Sequence, residues 1–227
     1  MEFLAECARC PFPLSDRLCR NEQGKSPDFC PTRNKQELMT AVEREYEKPD
    51  IREFACQASV QEAEGYANRE KGNDRVVPCK PRLLEIIEFS RKMGYRRLGL
   101  AFCAGLAGEA KVVERVLRTH GFEVVSAICK AGGVPKEAIG VKDDQKIIPG
   151  QPESMCNPVL QAMIMNDASV EFNILLGLCV GHDSLFLKYA EGPCTVLAVK
   201  DRMLGHNPLA AVYNIDSYYR ALKCPDK

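Results

Sequence analysis

Twelve cysteines stand in this chain of 227 residues, and their spacing is what points to chemistry. Cys7 and Cys10 form a Cys-x-x-Cys clip, and Cys19 and Cys30 complete a quartet. Four thiolates suit tetrahedral zinc or an iron–sulfur cluster, since thiolate is a soft donor that selects those metals. Pro11 occupies the place that a haem-attachment histidine would need. A thioredoxin-like pair at Cys7 and Cys10 would need a strand-to-helix context, which this segment lacks.

A second set emerges from an internal repeat. Cys79-Lys-Pro81-Arg-Leu83 is followed by Phe102-Cys103-Ala-Gly105, and Cys156-Asn-Pro158-Val-Leu160 by Leu178-Cys179-Val-Gly181. The paired motifs lie 77 and 76 residues apart. Each unit reads as Cys-x-Pro-x-Leu, helix, strand, Cys-x-Gly, helix, strand. Two such halves make a doubly wound α/β domain with a mostly parallel sheet and pseudo-twofold halves.

That architecture predicts where the cysteines go. In a parallel α/β sheet, helices start at the edge where strands end. Cys79 and Cys156 precede prolines suited to a helix's first turn, and Cys103, Cys129 and Cys179 follow strands. All five are expected on the carboxyl rim, where open α/β sheets place ligands. Helix N-termini there favour thiolate, and Gly105 and Gly181 would let backbone amides approach sulfur. A four-iron cluster takes four thiolates and leaves one spare for substrate or sulfur. Isolated strand-end cysteines often serve only as small hydrophobes; five on one rim argue for a metal or thiol site.

Other polar residues are expected on the same rim. His182 is a candidate ligand or proton donor, with Asp183 read as a helix cap. Lys200 and Arg202 could hold an anionic substrate or offset a thiolate cluster's charge. Cys56, Cys194 and Cys224 read as non-ligands, and His120 as a helix-end residue. No Gly-x-Gly-x-x-Gly follows the first strand, so a nucleotide site is not indicated.

The elements that must position these groups are legible in the pattern. Residues 1–35 are rich in Cys, Pro and Arg, and need a staple to fold. Residues 36–78 read as a helical connector, with Leu38, Val42 and Tyr46 at intervals of four, a second helix over about 50–68 and a turn at Lys71-Gly72-Asn73-Asp74. Residues 79–227 read as the α/β domain. Its helices are expected over 81–93, 108–120, 158–167 and 184–190, and its strands over 96–102, 122–128, 171–178 and 195–199.

Composition sets the outer limits. The chain is 45% hydrophobic, enough for a buried core. Its 31 basic and 31 acidic side chains balance, which argues against a dedicated nucleic-acid binder. The longest apolar stretch, Leu98 to Gly108, is too short to cross a bilayer. No basic region followed by an apolar one opens the chain, so a cytoplasmic address is expected. There disulfides are rare, and a cysteine-rich chain more often binds metal or does thiol chemistry.

Several motifs together resemble a known family. These are the N-terminal cysteines, Glu62-Ala-Glu64-Gly-Tyr66, Ile87-Glu-Phe-Ser-Arg-Lys-Met-Gly-Tyr95, Gly99-Leu-Ala-Phe-Cys103, Cys156-Asn-Pro158, Leu178-Cys-Val-Gly-His-Asp183 and Gly205-His-Asn-Pro208. They resemble a cysteine-rich family of prokaryotic proteins described only as metal-binding and of unknown function. The resemblance spans nearly the whole chain. It implies metal binding in anaerobes and names no reaction.

Two function classes follow. One is an iron–sulfur protein with its cluster at the rim, acting in electron transfer or as a reductase or sulfur-transfer enzyme, with a redox partner or a small anionic substrate. An enzyme would need an open iron position beside His182 or Lys200. The other is a zinc-binding, non-catalytic sensor, storage or delivery module. Zinc or a second cluster would occupy the N-terminal quartet in either case.

Overall fold

The structure is a computed structural model that describes residues 4–224. It divides into two compact units, between Glu64 and Gly65.

The first unit has no conventional core. No residue from 4 to 60 is buried. It begins with irregular chain and short 3-10 turns, followed by helices α1 (Pro31–Asn34), α2 (Gln36–Tyr46) and α3 (Pro49–Glu64). The expected apolar stripe of α2 forms, yet Leu38, Val42 and Tyr46 on it are exposed. Periodicity specified the helix; it did not guarantee a partner for its apolar face.

The second unit opens with a two-stranded antiparallel hairpin, β1 (Tyr66–Ala67) and β2 (Val77–Pro78). Then come α4 (Arg82–Lys92), β3 (Arg97–Phe102), α5 (Ala107–Thr119) and β4 (Glu123–Ile128). After a long connection follow α6 (Pro158–Asp167), β5 (Phe172–Leu178), α7 (His182–Tyr189), β6 (Cys194–Val199) and the short α8 (Leu209–Tyr213). The order helix, strand, helix, strand thus occurs twice, as the repeat predicts.

Strands β3 to β6 form one parallel sheet in the order β4-β3-β5-β6. The chain leaves β3 in one direction to make β4, then returns past it to make β5. The order therefore reverses between β3 and β5, the place where such sheets open a crevice at their carboxyl ends. Cys103 follows β3 and Cys179 follows β5, so both flank that point.

Burial explains the strand sequences. All seven residues of β5 are buried, as a central parallel strand covered on both faces requires. Leu98, Leu100 and Ala101 of β3 are buried with Ile174, Leu175 and Leu176 of β5. Helix α4 is anchored at its end by Phe89, whose ring lies 5.5 Å from that of Phe172, while Tyr95 stacks on Phe172 at 5.6 Å. At its start, Arg82 donates from Nε to Val196 O at 2.7 Å and from Nη2 to Thr195 Oγ1 at 3.0 Å. His120 is the C-terminal cap residue of α5, followed by Gly121 at φ +91°, as its sequence context suggests.

The connection from 130 to 155 folds back on itself. Pro135 bridges Ser154, Lys136 N–H donates to Glu153 O (3.0 Å), and Met155 N–H donates to Val134 O (2.7 Å). Ion pairs Lys136–Glu153 (2.7 Å) and Lys146–Glu137 (2.5 Å) brace it. The loop's two ends, next to Cys129 and Cys156, are thereby held together. No helix among the described residues is long and apolar enough to cross a membrane.

Candidate functional site

Three of the five rim cysteines come near one another, and two of them touch. Cys103 is at the end of β3 and Cys129 at the end of β4, both buried. Their strand ends are joined by Cys129 N–H donating to Phe102 O at 2.8 Å. Cys156 arrives from the helix side. The next residue, Asn157, caps α6 by accepting the Leu160 N–H on its side chain at 3.1 Å, a standard N-terminal device beside Pro158. Asn157 N–H also donates to Cys129 O at 2.7 Å. The thiols of Cys129 and Cys156 are hydrogen-bonded, with Cys103 close enough to act electrostatically on Cys129.

The pair shares one proton unequally. The S–H that Cys129 donates holds Cys156 down at about 5, against the opposing effect of burial. The charges of Lys130 and His182 and a hydrogen bond from Lys130 assist. Donating to Cys156, burial and the neighbouring sulfurs push Cys129 up, opposed by the Ala104 N–H that it accepts at 3.3 Å. At neutral pH Cys156 is the thiolate and Cys129 the thiol. The two titrate as a coupled pair.

A pH profile checks this. In metal-free, reduced protein, alkylation of Cys156 by iodoacetamide should be nearly flat between about pH 6 and 8, because its thiolate is already formed, and should fall below about pH 5. An ordinary thiol, near 8.5, gains about tenfold per pH unit over the same range. Cys156 rising with pH like an ordinary thiol would contradict the shared proton.

The remaining rim residues lie as follows. Cys179 is half-buried, and Arg202 Nη2 donates to its sulfur at 3.1 Å. Arg202 is aimed by the turn 201–206. There Asp201 Oδ1 accepts Met203 N–H (3.1 Å) and Leu204 N–H (2.9 Å), and Asp201 N–H donates to His206 Nδ1 (3.2 Å). Lys200 follows β6, its N–H donating to Leu178 O at 3.0 Å. Its Nζ stands 3.5 Å from where a Cβ on Gly105 would lie, and Cys103 Sγ stands 4.0 Å from the same point. Gly105 therefore leaves room between Lys200 and Cys103. His182 opens α7, beside Cys156. Cys79 is exposed on the hairpin side, its thiol donating to Gly65 O at 3.4 Å.

Two expectations change in detail. The amide that reaches sulfur belongs to Ala104, not to Gly105 or Gly181, because the tight turn after Cys103 points the Ala104 N–H at Cys129. Gly181 instead takes the left-handed conformation at φ +83° and is itself the cap position of α7. Asp183 lies within the first turn, accepting Ser184 N–H at 2.8 Å. Lys130 carries no signal in the sequence beyond adjacency to Cys129. Cys194, whose thiol donates to Gly192 O (3.3 Å), starts β6 at the opposite edge of the sheet. Cys56 and Cys224 are exposed.

In the first unit, Cys7, Cys10, Cys19 and Cys30 line one cavity of about 40 Å³, beside Arg17 and Lys25. Cys7 and Cys10 are brought together by a 3-10 turn, with Cys10 N–H on Cys7 O at 3.2 Å. Cys19 is carried on a loop closed by Leu18 N–H on Lys25 O at 2.9 Å. Gly24 permits that closure, since a Cβ there would lie 2.4 Å from the Arg17 carbonyl carbon. Cys30 caps α1, where Pro31 takes the first position. All twelve cysteines are thiols outside any disulfide. Among the described residues, no group of three or more His, Cys, Asp or Glu side chains is already arranged to hold a metal ion.

Residues 30–197 match the family model described as "Protein of unknown function (DUF1847)". The chain belongs to this family. The matched span contains all five rim cysteines and begins at Cys30, after Cys7, Cys10 and Cys19. The chain is also similar to a protein of Methanocaldococcus jannaschii named "Uncharacterized protein MJ0455". They are 40% identical over 185 residues, covering 82% of this chain and 87% of that relative. No solved structure matches. The family description names no metal and no reaction.

Proposed function

We propose that the protein is a thiolate metal-binding protein, with an iron–sulfur cluster at the sheet rim held by Cys103, Cys129, Cys156 and Cys179. The observation that carries this reading is the hydrogen-bonded pair Cys129 and Cys156 with Cys103 within electrostatic range of Cys129, sulfurs brought from three separate strand and helix ends. Their donor set is purely sulfur, which suits iron–sulfur clusters and zinc over hard cations. Cys79, on the hairpin side, is the thiol left over from the five.

The surroundings fit an anionic sulfur centre. Lys130 and His182 act on Cys156, Lys200 approaches Cys103 across Gly105, and Arg202 donates to Cys179. Four basic groups offset thiolate charge and would draw in a small anionic substrate. Ala104 N–H on Cys129 supplies the kind of amide–sulfur contact that tunes a cluster's potential. Metal binding requires deprotonated thiols, and Cys156 already is one at neutral pH. Such a cluster would supply one-electron transfer, which suits exchange with a redox partner or reduction and sulfur transfer on a bound anion. In that chemistry His182 is the proton donor and Lys200 the anion contact.

The N-terminal quartet is read as a structural site for zinc or a second cluster. Four thiols line one cavity within a segment that has no buried residue. A chain piece of that kind gains its order from metal ligation, which supplies folding free energy directly.

Anaerobic purification followed by iron, zinc and acid-labile sulfide analysis tests the proposal. Brown protein absorbing near about 400 nm, bleached by dithionite, with iron and sulfide in equal amounts, supports the cluster. Colourless protein with zinc and no sulfide would replace it with the zinc-binding sensor, storage or delivery module. The Cys129–Cys156 hydrogen bond favours one further outcome. Metal-free protein that cycles between this dithiol and its disulfide would make the rim a thiol–disulfide exchange centre.

A further inference from the structure

Gln161 is fully buried in α6, among the apolar residues of that helix. Its Nε2 donates to Ala127 O at 2.7 Å and to Phe102 O at 3.2 Å. Phe102 immediately precedes Cys103, and Ala127 lies two residues before Cys129. Gln161 itself sits on the helix whose start follows Cys156. One side-chain amide therefore spans the three segments that present Cys103, Cys129 and Cys156. Phe102 O also accepts the Cys129 N–H at 2.8 Å, so the two strand ends and the helix share a single hydrogen-bond node.

The node carries an energetic penalty. Gln161 Oε1 is buried and has no hydrogen-bond partner among the described residues, and an unpaired buried acceptor is destabilising. Methionine or leucine would fill the same volume without stranding an acceptor. Packing alone therefore does not account for glutamine here. What the amide adds is a fixed height of the β3 and β4 ends relative to α6.

We propose that Gln161 is a positioning residue, which holds Cys103, Cys129 and Cys156 in register as one centre. This rests on the reading above only in treating the three thiols as a unit; it requires no particular metal. In Gln161→Met the volume is kept and both donated bonds are lost, so the strand ends and α6 can shift against one another. Displacements of about 1 Å can slow reactions between positioned groups by about a hundredfold.

The test uses the full-length, reduced, metal-free protein treated with diamide. Cys129 and Cys156 lose two protons and two electrons to the azo bond, forming a disulfide and a hydrazine, and peptide mapping follows the rate. Wild-type protein should form the Cys129–Cys156 disulfide fastest among all cysteine pairs. Gln161→Met should slow it roughly tenfold or more, while alkylation of buried Cys129 becomes faster. Leu117→Ala, which removes a fully buried side chain from the far end of α5, serves as the destabilised control and should leave the disulfide rate unchanged.

Gln161→Asn keeps an amide but withdraws it by one methylene, and reads the same rate if the methionine variant does not fold. A Gln161 variant that loses stability yet forms the disulfide at the wild-type rate would overturn the inference, as would slow disulfide formation in the wild-type protein. Iron and sulfide content of the anaerobic wild-type preparation judges the cluster separately, so the two ideas fail independently.

Discussion

Cys156→Ala is expected to release metal from the rim and leave the N-terminal site loaded, and Cys7→Ala to do the reverse. Cys156 is the rim thiol that is already ionised at neutral pH, so its removal takes away the donor that needs no proton displaced. Its loss also leaves Cys129 without the partner to which it donates. Even outer-shell partners of metal ligands are worth roughly 10–100-fold in affinity, and a direct ligand should cost more. The Cys156→Ala protein should lose the rim's iron and sulfide and keep only what the N-terminal quartet holds.

The Cys7→Ala prediction has a structural consequence as well. With no buried residue between 4 and 60, the segment around the four-cysteine cavity has little apolar burial to fall back on. Its ordering should track metal content, read as rapid proteolysis within the first 35 residues of the variant. The α/β unit should resist under the same conditions. Iron and zinc contents unchanged in both variants would show that the ligand assignments are wrong.

Gly177→Val should be among the most destabilising single substitutions in the molecule. Gly177 is buried in β5 at φ +69°, in the left-handed region, at the shift of the β5–β6 register between Leu176 and Leu178. A Cβ there would lie 2.1 Å from Leu106 Cδ1 and 3.3 Å from Cγ. Leu106 is itself only 4% exposed, so its side chain has little room to turn away. The backbone penalty for a side chain in this conformation is about 1–2 kcal/mol, and overpacking adds about 1–3 kcal/mol.

The sum, about 2–5 kcal/mol, is a large share of a typical stability of about 5–15 kcal/mol. Urea denaturation should show a lowered midpoint with an unchanged slope. Leu106 lies in the turn that follows Cys103, and the same hypothetical Cβ is 3.9 Å from Cys103 Cβ. Protein that still folds should therefore lose rim metal too. A variant within about 0.5 kcal/mol of wild type, the ordinary range for surface changes, would mean that β5 adopts another path in solution.

The amino-acid pattern alone determined the helices and strands from α4 to β6 and, through them, the edge on which cysteines are expected, but not the β1–β2 hairpin, which falls where a helical connector is expected. Near-continuous apolar runs such as Asn173 to Leu178, alternating with helices, argue for covered parallel strands, and Pro158 after Asn157 marks a helix start. Parallel strands joined by helices must then put strand ends and helix starts at one edge, so Cys79, Cys103, Cys129, Cys156 and Cys179 read as one rim set, of which Cys79 lies on the hairpin side. The same reasoning made no distinction among them, because sequence spacing gives the edge and not the distance along it.

Which sulfurs touch was decided by tertiary structure. Cys129 and Cys156 meet because the connection between them folds back, through Pro135 with Ser154 and Asn157 N–H on Cys129 O. No local pattern within that loop encodes its closure. Arg202 reaches Cys179 through a turn held by Asp201 and His206, and Lys130 acts on Cys156 because the loop ends are adjacent.

Gln161 left one trace in the sequence, a lone amide in the otherwise apolar stretch Val159 to Met165. Periodicity alone would place such a residue at the border of a buried face. Only the position of α6 across the ends of β3 and β4 turns that amide into a bond to both strands. Hydrogen bonds between distant segments depend on where whole elements pack, and residue spacing carries no record of that.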